Sequence, residues 1–138
     1  MWRYSKDLES FNYALEKGGW LECYCMSQDS QCFVAKKDLD IIGLFLFIPS
    51  KDNEFRILIN PDFLSQGYGK LLTNEAFRIA FEDLNLHKVS LIVRQNHQVA
   101  ISLYKKMGFI MSGEVKEITN GVEMDFYKMI KSNSIKEN

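Results

Sequence analysis

A glycine-rich segment, Leu64-Ser65-Gln66-Gly67-Tyr68-Gly69-Lys70, lies between a predicted strand and a predicted helix. The first turn of a helix leaves its backbone N–H groups without intrahelical acceptors, and the helix macrodipole favours negative charge there. Glycine lets a ligand approach this backbone closely. The amides of Gln66 through Lys70 are therefore a candidate cradle for a phosphate or pyrophosphate. An ordinary tight turn explains the segment, taken alone, equally well.

Two standard phosphate motifs do not fit this segment. A P-loop needs the pattern GxxxxGK[ST], whereas Leu71 follows Gly69-Lys70 and Leu64 stands where the upstream glycine is required. A dinucleotide-binding turn needs a third small residue, and that position is Leu72. These mismatches argue against a kinase-like or NAD-linked protein.

A second segment changes the interpretation of the first. The run from Asn96 to Phe109 contains Ala100, Leu103-Tyr104 and Gly108 at defined spacings. Together with the run from Gln66 to Leu72, it resembles the GNAT superfamily of acyl-CoA N-acyltransferases, in which the first run corresponds to the pyrophosphate loop. The resemblance covers about residues 31–131. The loop departs from the family pattern at Leu64, where Arg or Gln is usual, so either Gln66 supplies the polar contact or the backbone amides suffice.

The resemblance implies an α+β (mixed α/β) fold. Its sheet is twisted and mostly antiparallel, flanked by helices, with one parallel strand pair splayed around acetyl-CoA. It also implies an N-acetyltransferase in which a primary amine attacks the acetyl-CoA thioester directly, in a ternary complex and without a metal. The residues implied to bind acetyl-CoA are Ile57, Leu58, Ile59, Gln66, Gly67, Tyr68, Gly69, Lys70, Asn96 and Tyr104.

The resemblance implies functional roles for three polar residues, and each residue also has a simpler structural interpretation. Tyr104 is the candidate acid that protonates the departing thiolate, although helical spacing alone favours a core tyrosine. Glu54 is the candidate base for the amine, although an exposed carboxylate at a strand end is equally consistent with the sequence. Asn96 is expected to contact the cofactor and also to cap its helix.

The elements that position these residues follow from apolar periodicity and turn residues. The predicted elements are a helix over residues 6–17, strands over 31–36, 41–48 and 54–60, a helix over 70–84, a strand over 89–93, a helix from Asn96 to Gly108, and strands over 109–118 and 122–129. The second strand is expected to be buried on both faces, and the third on one. A helix that joins two strands implies a parallel pair. Residues 1–131 are expected to form one domain, with a polar tail over 132–138 that frays from Lys131.

Composition narrows the classes of function. The chain has 138 residues, 46% hydrophobic and 25% charged, with 17 Lys and Arg against 18 Asp and Glu. A nearly neutral chain lacks the overall charge typical of nucleic-acid binding. Its longest apolar run, residues 41–48, falls short of the approximately 20 residues of a membrane span. Without a secretory signal the expected location is the cytoplasm, and Cys23, Cys25 and Cys32 are predicted to be reduced, mostly buried thiols.

Several alternatives remain open from the sequence alone. The chain is an acetyltransferase, a CoA-binding sensor or interaction module on the same fold, or an unrelated α/β nucleotide-binding module. The acceptor amine could belong to a small molecule, such as a polyamine, an amino sugar or an antibiotic, or to a protein N-terminus or lysine. A monomer and a homodimer are equally consistent with the sequence.

Overall fold

The computed structural model describes residues 31–133, which form a twisted sheet with two helices. The strands are β1 (Gln31–Lys37), β2 (Asp40–Ile48), β3 (Glu54–Ile59), β4 (Lys88–Arg94), β5 (Ile110–Thr119) and β6 (Val122–Ser132). The helices are α1 (Tyr68–Arg78), which continues as a wider π turn over Ile79–Asp83, and α2 (Gln98–Lys106). Short 3₁₀ turns precede β3 (Pro49–Lys51) and α1 (Pro61–Phe63).

The strands are ordered β1-β2-β3-β4-β6-β5 across the sheet. All neighbours are antiparallel except β3 and β4, which run parallel and are joined through α1. The predicted parallel pair and the mixed, mostly antiparallel sheet are therefore confirmed. Strands β1–β2 and β5–β6 form antiparallel hairpins. The second hairpin turns at Asn120-Gly121, where both residues have positive φ, as a tight two-residue hairpin turn requires.

A cluster of aromatic rings joins the sheet to the helices. Phe55 on β3 packs against Phe77 on α1 with 5.0 Å between ring centroids, and Phe77 lies 5.0 Å from Phe109. Phe45 and Phe47 extend the cluster along β2, the interior strand whose burial the sequence predicted. Buried apolar side chains of this kind supply most of the driving force for folding.

The bounds of several elements differ from the predictions. Helix α1 begins at Tyr68, two residues before the predicted start, so Tyr68 and Gly69 belong to its first turn. Helix α2 has His97 as its N-cap and no capping side chain, so the predicted cap by Asn96 is wrong.

Two predictions about strands also fail. The expected alternation in β3 does not hold, because Glu54, Phe55, Leu58 and the following Asn60 are all buried and the strand is covered on both faces. The predicted fraying from Lys131 is wrong too. Strand β6 continues through Ser132, and the buried Asn133 side chain donates to the carbonyls of Phe81 and Leu86.

Cys32 is not the reduced, buried thiol that the sequence predicted. It is exposed on β1 and disulfide-bonded. The helix predicted over residues 6–17, together with Cys23 and Cys25, lies outside the described residues. Neither helix between residues 31 and 133 has the length and apolar character needed to cross a membrane.

Candidate active site

The parallel strands β3 and β4 part almost as soon as they meet. Their only register pair is Glu54 with Ser90, whereas β2 pairs with all of β3 and β6 with all of β4. Beyond that pair, β3 and β4 are no longer paired with each other, and a wedge opens toward the carboxyl ends of both strands. Ligands commonly bind in such a crevice, where neighbouring strands diverge.

The turn before β3 holds the closed end of the wedge. The Ser90 amide donates to the Asp52 carbonyl at 3.1 Å, and the Ser90 hydroxyl donates to the Lys51 carbonyl at 2.8 Å. The Asp52 carboxylate accepts a 2.7 Å hydrogen bond from Lys128 and pairs with Lys88 at 3.2 Å. The Lys128 ammonium, followed by that of Lys88, holds the pKa of Asp52 below its usual value. This turn therefore fastens β3 to β4 and β6 where the strands meet.

The glycine-rich turn lies at the open end of the wedge, after β3 ends. Gly67 has a φ of 85° and is the N-cap of α1, whose first helical hydrogen bond runs from the Leu71 amide to the Gly67 carbonyl. Across residues 31–133, no acceptor is found for the amides of Tyr68, Gly69 and Lys70. A Cβ atom at Gly67 would meet nothing within 4 Å, so the space in front of this turn is open. The arrangement fits an anion at the start of the helix.

Neighbouring side chains fix the position of this turn. Asn60, buried at the end of β3, donates to the Ile41 carbonyl at 2.7 Å and accepts from the Asp62 amide at 3.0 Å. The Gln66 side chain donates to the Asp62 carbonyl at 3.3 Å. The Tyr68 hydroxyl accepts from Lys37 at 3.3 Å, and its ring packs edge-on against Phe63. The side chains of Gln66 and Tyr68 thus bond within the protein.

Tyr104 lies on α2, half-buried against the core. Its ring centroid is 5.8 Å from that of Phe109, in an edge-to-face contact, as the core interpretation of its spacing predicts. Burial raises the pKa of its hydroxyl, which therefore stays protonated at neutral pH. Within the described part of the chain no group hydrogen-bonds this hydroxyl. A protonated hydroxyl of this kind can donate to a ligand.

Glu54 is buried rather than exposed, so the interpretation as an exposed strand-end carboxylate is wrong. It is 5% exposed, and its Oε2 accepts hydrogen bonds from Arg56 Nε at 2.9 Å and Nη2 at 2.8 Å. Arg56 Nη2 also donates to Glu117 Oε1 at 3.1 Å, and Lys51 approaches the same oxygen at 3.8 Å. A buried carboxylate needs such hydrogen-bond partners, because an unpaired buried charge is costly.

Tyr104 and Glu54 belong to opposite faces of the sheet. Phe55 packs against α1, so Glu54 and Arg56, its neighbours in an alternating strand, project to the other face. The Tyr104 ring contacts Phe109, which contacts Phe77, which in turn contacts Phe55. Tyr104 therefore lies on the face of the sheet that carries α1. The two groups do not touch, and a ligand in the wedge between β3 and β4 would have one of them on each side.

The remaining predicted site residues are distributed around the same wedge. Leu58 is buried in β3, and Ile57 and Ile59 on either side of it are half-buried. Lys70 is exposed in the first turn of α1. Asn96 is exposed after β4, just before α2. The structure therefore brings the β3 segment and the glycine-rich turn together, with Asn96 at the end of the neighbouring strand.

Several residues that position the site were not singled out by the sequence. Arg56 and Glu117 are 61 positions apart and meet only because the β5–β6 hairpin reaches β3. Lys37 meets Tyr68 across 31 positions. Only Asn60 had a local sequence cue, since an Asn before Pro61 favours a turn with a side-chain hydrogen bond.

A cavity of about 400 Å³ lies elsewhere, between the second half of α1 and the end of β6. Its lining includes Phe77, Phe81, Met107 and Asn133. It is separate from the wedge and from the glycine-rich turn. Among residues 31–133, no three His, Cys, Asp or Glu side chains are grouped to hold a metal ion.

Comparisons with known proteins agree on one family. A model described as "Acetyltransferase (GNAT) family" matches residues 2–109. The chain is 36% identical over 96 residues to spermidine N(1)-acetyltransferase of Vibrio cholerae, covering 65% of this chain and 56% of that protein. It is 31% identical over 96 residues to acetyltransferase PseH of Campylobacter jejuni, covering 67% and 60%. The chain therefore spans little more than half the length of these relatives.

Solved structures show the same likeness. The spermidine/spermine N-acetyltransferase SpeG of Vibrio cholerae, in complex with manganese ions, is 27% identical with a TM-score of 0.70, covering 96% of this chain and 76% of that one. A chimera of the Vibrio cholerae SpeG and hSSAT is 29% identical, also with a TM-score of 0.70, covering 83% and 73%.

Proposed function

The chain belongs to the acetyltransferase (GNAT) family, and we propose that it transfers an acetyl group from acetyl-CoA to a primary amine. The observation that carries this proposal is the wedge between β3 and β4, which opens toward the uncapped amides at the start of α1. An elongated ligand with a phosphate group at one end fits this arrangement of a strand crevice beside a helix N-terminus.

The chain offers separate groups for the two ends of acetyl-CoA. The amides of Tyr68, Gly69 and Lys70 would bind the pyrophosphate, assisted by the Lys70 ammonium. The backbone of Ile57, Leu58 and Ile59 would hold the pantetheine arm along β3, as an added strand is held. Asn96, after β4, would contact the same arm from the other side of the wedge. Because Gln66 is bonded to Asp62, the backbone amides rather than its side chain are proposed to compensate for Leu64.

In the proposed reaction the neutral amine forms a bond to the thioester carbonyl carbon, and the bond from that carbon to sulfur breaks. The departing thiolate takes a proton from the Tyr104 hydroxyl. One observation supports this role: none of the described groups hydrogen-bonds the hydroxyl, which is protonated and can therefore donate to the sulfur. The reaction is direct, with both substrates bound together, and no metal takes part.

Glu54 is the proposed base for the amine proton, acting directly or through water. It projects to the sheet face opposite Tyr104, at the residue pair where β3 and β4 part. Two hydrogen bonds from Arg56 hold the Glu54 carboxylate in position.

The second candidate is a CoA-binding module that has lost catalysis, and Leu64 in the loop is the observation that favours it. The two functions differ in a simple assay. The enzyme releases CoA thiol from acetyl-CoA only when a suitable amine is present, and the module releases none with any amine. The assay uses a panel containing a polyamine, an amino sugar, an aminoglycoside and peptides with free N-termini or lysines. Amine-dependent thiol release supports the proposal, and its absence across the panel, with acetyl-CoA bound, supports the module.

A further inference from the structure

We propose that Arg56 selects against polycationic acceptors, so that the acceptor of this protein is an amine carrying a single positive charge. This inference rests on the proposed function and concerns the acceptor side of the same site. It starts from the place of Arg56, whose guanidinium lies between two carboxylates at the closed end of the wedge.

The guanidinium contacts both carboxylates at hydrogen-bond distance. Nη2 is 2.8 Å from Glu54 Oε2 and 3.1 Å from Glu117 Oε1, and Nε is 2.9 Å from Glu54 Oε2. The side chains of Arg56 and Glu54 are 13% and 6% exposed. Charge-assisted hydrogen bonds in such a shielded place are stronger than surface ion pairs.

A polycation needs carboxylates for the ammonium groups that do not react. Among the described residues, the acidic side chains around the point where β3 and β4 part are Asp52, Glu54 and Glu117. Lys88 and Lys128 pair with Asp52, and Arg56 pairs with both glutamates. A second ammonium would have to displace a guanidinium attached to the same chain or lie beside it and be repelled. A monoamine has no such requirement, because its one nitrogen loses its charge before it attacks.

The other acidic residues of the hairpin do not replace this pair. Glu123 and Asp125 are exposed and lie 3.4 and 4.0 Å from the Lys116 ammonium. Glu114 is exposed and accepts a 3.4 Å hydrogen bond from Gln95. Exposed charges are screened by solvent and contribute little to binding. The preference for a monoamine therefore depends on Arg56.

The test compares two amines with the same four-carbon chain, butylamine and 1,4-diaminobutane, with spermidine as a third. Arg56→Gln removes the charge and keeps hydrogen-bond donors, whereas Arg56→Lys keeps the charge. Arg78→Gln is the matched control, since Arg78 also pairs with acidic side chains but lies on the exposed surface of α1. Thermal unfolding verifies that each variant folds.

The wild-type protein should acetylate butylamine with a kcat/KM at least equal to that of 1,4-diaminobutane. Arg56→Gln should raise the ratio in favour of the diamine about tenfold, the size expected for a shielded charge contact. Arg56→Lys and Arg78→Gln should leave the ratio unchanged. A wild-type preference for the diamine or spermidine, or an unchanged ratio in Arg56→Gln, would overturn the inference.

Binding measurements separate this inference from the proposed function. Calorimetry with spermidine alone should show about tenfold tighter binding to Arg56→Gln than to the wild type. If acetyl-CoA binds and amines are acetylated but these ratios do not change, the inference fails and the proposed function stands. If no amine is acetylated, the proposed function fails, and the spermidine affinities still decide whether Arg56 excludes polycations.

Discussion

Tyr104 packs in the core with its ring and is also the proposed catalytic acid through its hydroxyl. Its ring belongs to the aromatic cluster, and its hydroxyl has no partner among the described residues. Tyr104→Phe should therefore preserve the packing and remove the acid. We expect kcat to fall by about 10²–10⁴, the usual contribution of a general acid, with the Kd for acetyl-CoA unchanged. Steady-state kinetics and calorimetry measure these two quantities.

The control for this variant is Tyr127→Phe, which removes the hydroxyl of another half-buried tyrosine packed against the same core. It should leave kcat unaltered. An undiminished kcat in Tyr104→Phe, or an equal loss in both variants, would contradict the assignment of Tyr104 as the acid.

The pH dependence of the protein should reflect the same residue. Burial raises the folded pKa of Tyr104 above its ordinary value of 10.0, so the hydroxyl remains an acid throughout the neutral range. Its contribution to the free energy of unfolding is complete below the unfolded pKa and is lost as pH rises through the higher folded value. Comparing the wild type with Tyr104→Phe by thermal unfolding across pH 8–12, roughly centred on that value, tests this expectation. A loss of this difference below the unfolded pKa would contradict it.

At the scale of elements, the turn before α1 combines an unusual backbone conformation with open space. Gly67 has a φ of 85°, and a Cβ there would meet no atom within 4 Å. Gly67→Ala should cost about 1 kcal/mol of stability through backbone strain. It should also weaken acetyl-CoA binding, because the added methyl group and the shifted turn disturb the cradle. Calorimetry and thermal unfolding report the two effects separately.

Gly121 provides a matched control at the tip of the β5–β6 hairpin. It also has a positive φ, 78°, and a methyl group added there would have no atom within 4 Å. Gly121→Ala should lose a similar amount of stability without changing the Kd for acetyl-CoA. Equal affinities in the two variants would show that the turn before α1 is not part of the cofactor site.

The elements themselves were largely predictable from the sequence, and their ends were not. Gly108 marked the end of α2, and Asn120-Gly121 occupies the hairpin turn, because few other residues adopt positive φ readily. Asn96 was a poor marker, since its side chain does not cap α2. The alternation expected in β3 failed because the hairpin covers the face that carries Glu54 and Arg56. Alternation of apolar and polar residues along a strand predicts which side chains are buried only when one face of that strand is open to solvent.

At the scale of the whole molecule, the wedge depends on β2 and β3 packing closely. A Cβ at Gly43 would lie 2.6 Å from the Leu58 carbonyl oxygen and 3.1 Å from a methyl group of Leu72. Gly43→Ala would therefore push β3 away from β2 or α1, and should destabilise the fold by about 1–3 kcal/mol. Gly113→Ala, where no atom lies within 4 Å, should cost much less. Denaturant unfolding measures both, and equal losses would contradict this account of the sheet.

Long-range contacts explain why the sequence pointed to residues for the proposed cofactor side but not to the contacts of the proposed acceptor side. The glycine-rich turn and the residues around Tyr104 are local segments whose order and spacing can be read directly. The proposed acceptor side consists of Glu54, Arg56 and Glu117, on β3 and β5, which β4 and β6 separate in the sheet. No local pattern specifies that meeting, because it depends on how the hairpin curves over the sheet.

The most direct test of the whole account is calorimetric titration of the purified protein with acetyl-CoA, with free CoA and ATP as comparators. We predict micromolar binding of acetyl-CoA, about −8 kcal/mol, with little response to ATP. Binding should be weakened by Gly67→Ala and unaffected by Gly121→Ala. Failure to bind either acetyl-CoA or CoA would contradict the assignment of the wedge and the turn before α1 as a cofactor site, and with it the proposed acetyl transfer.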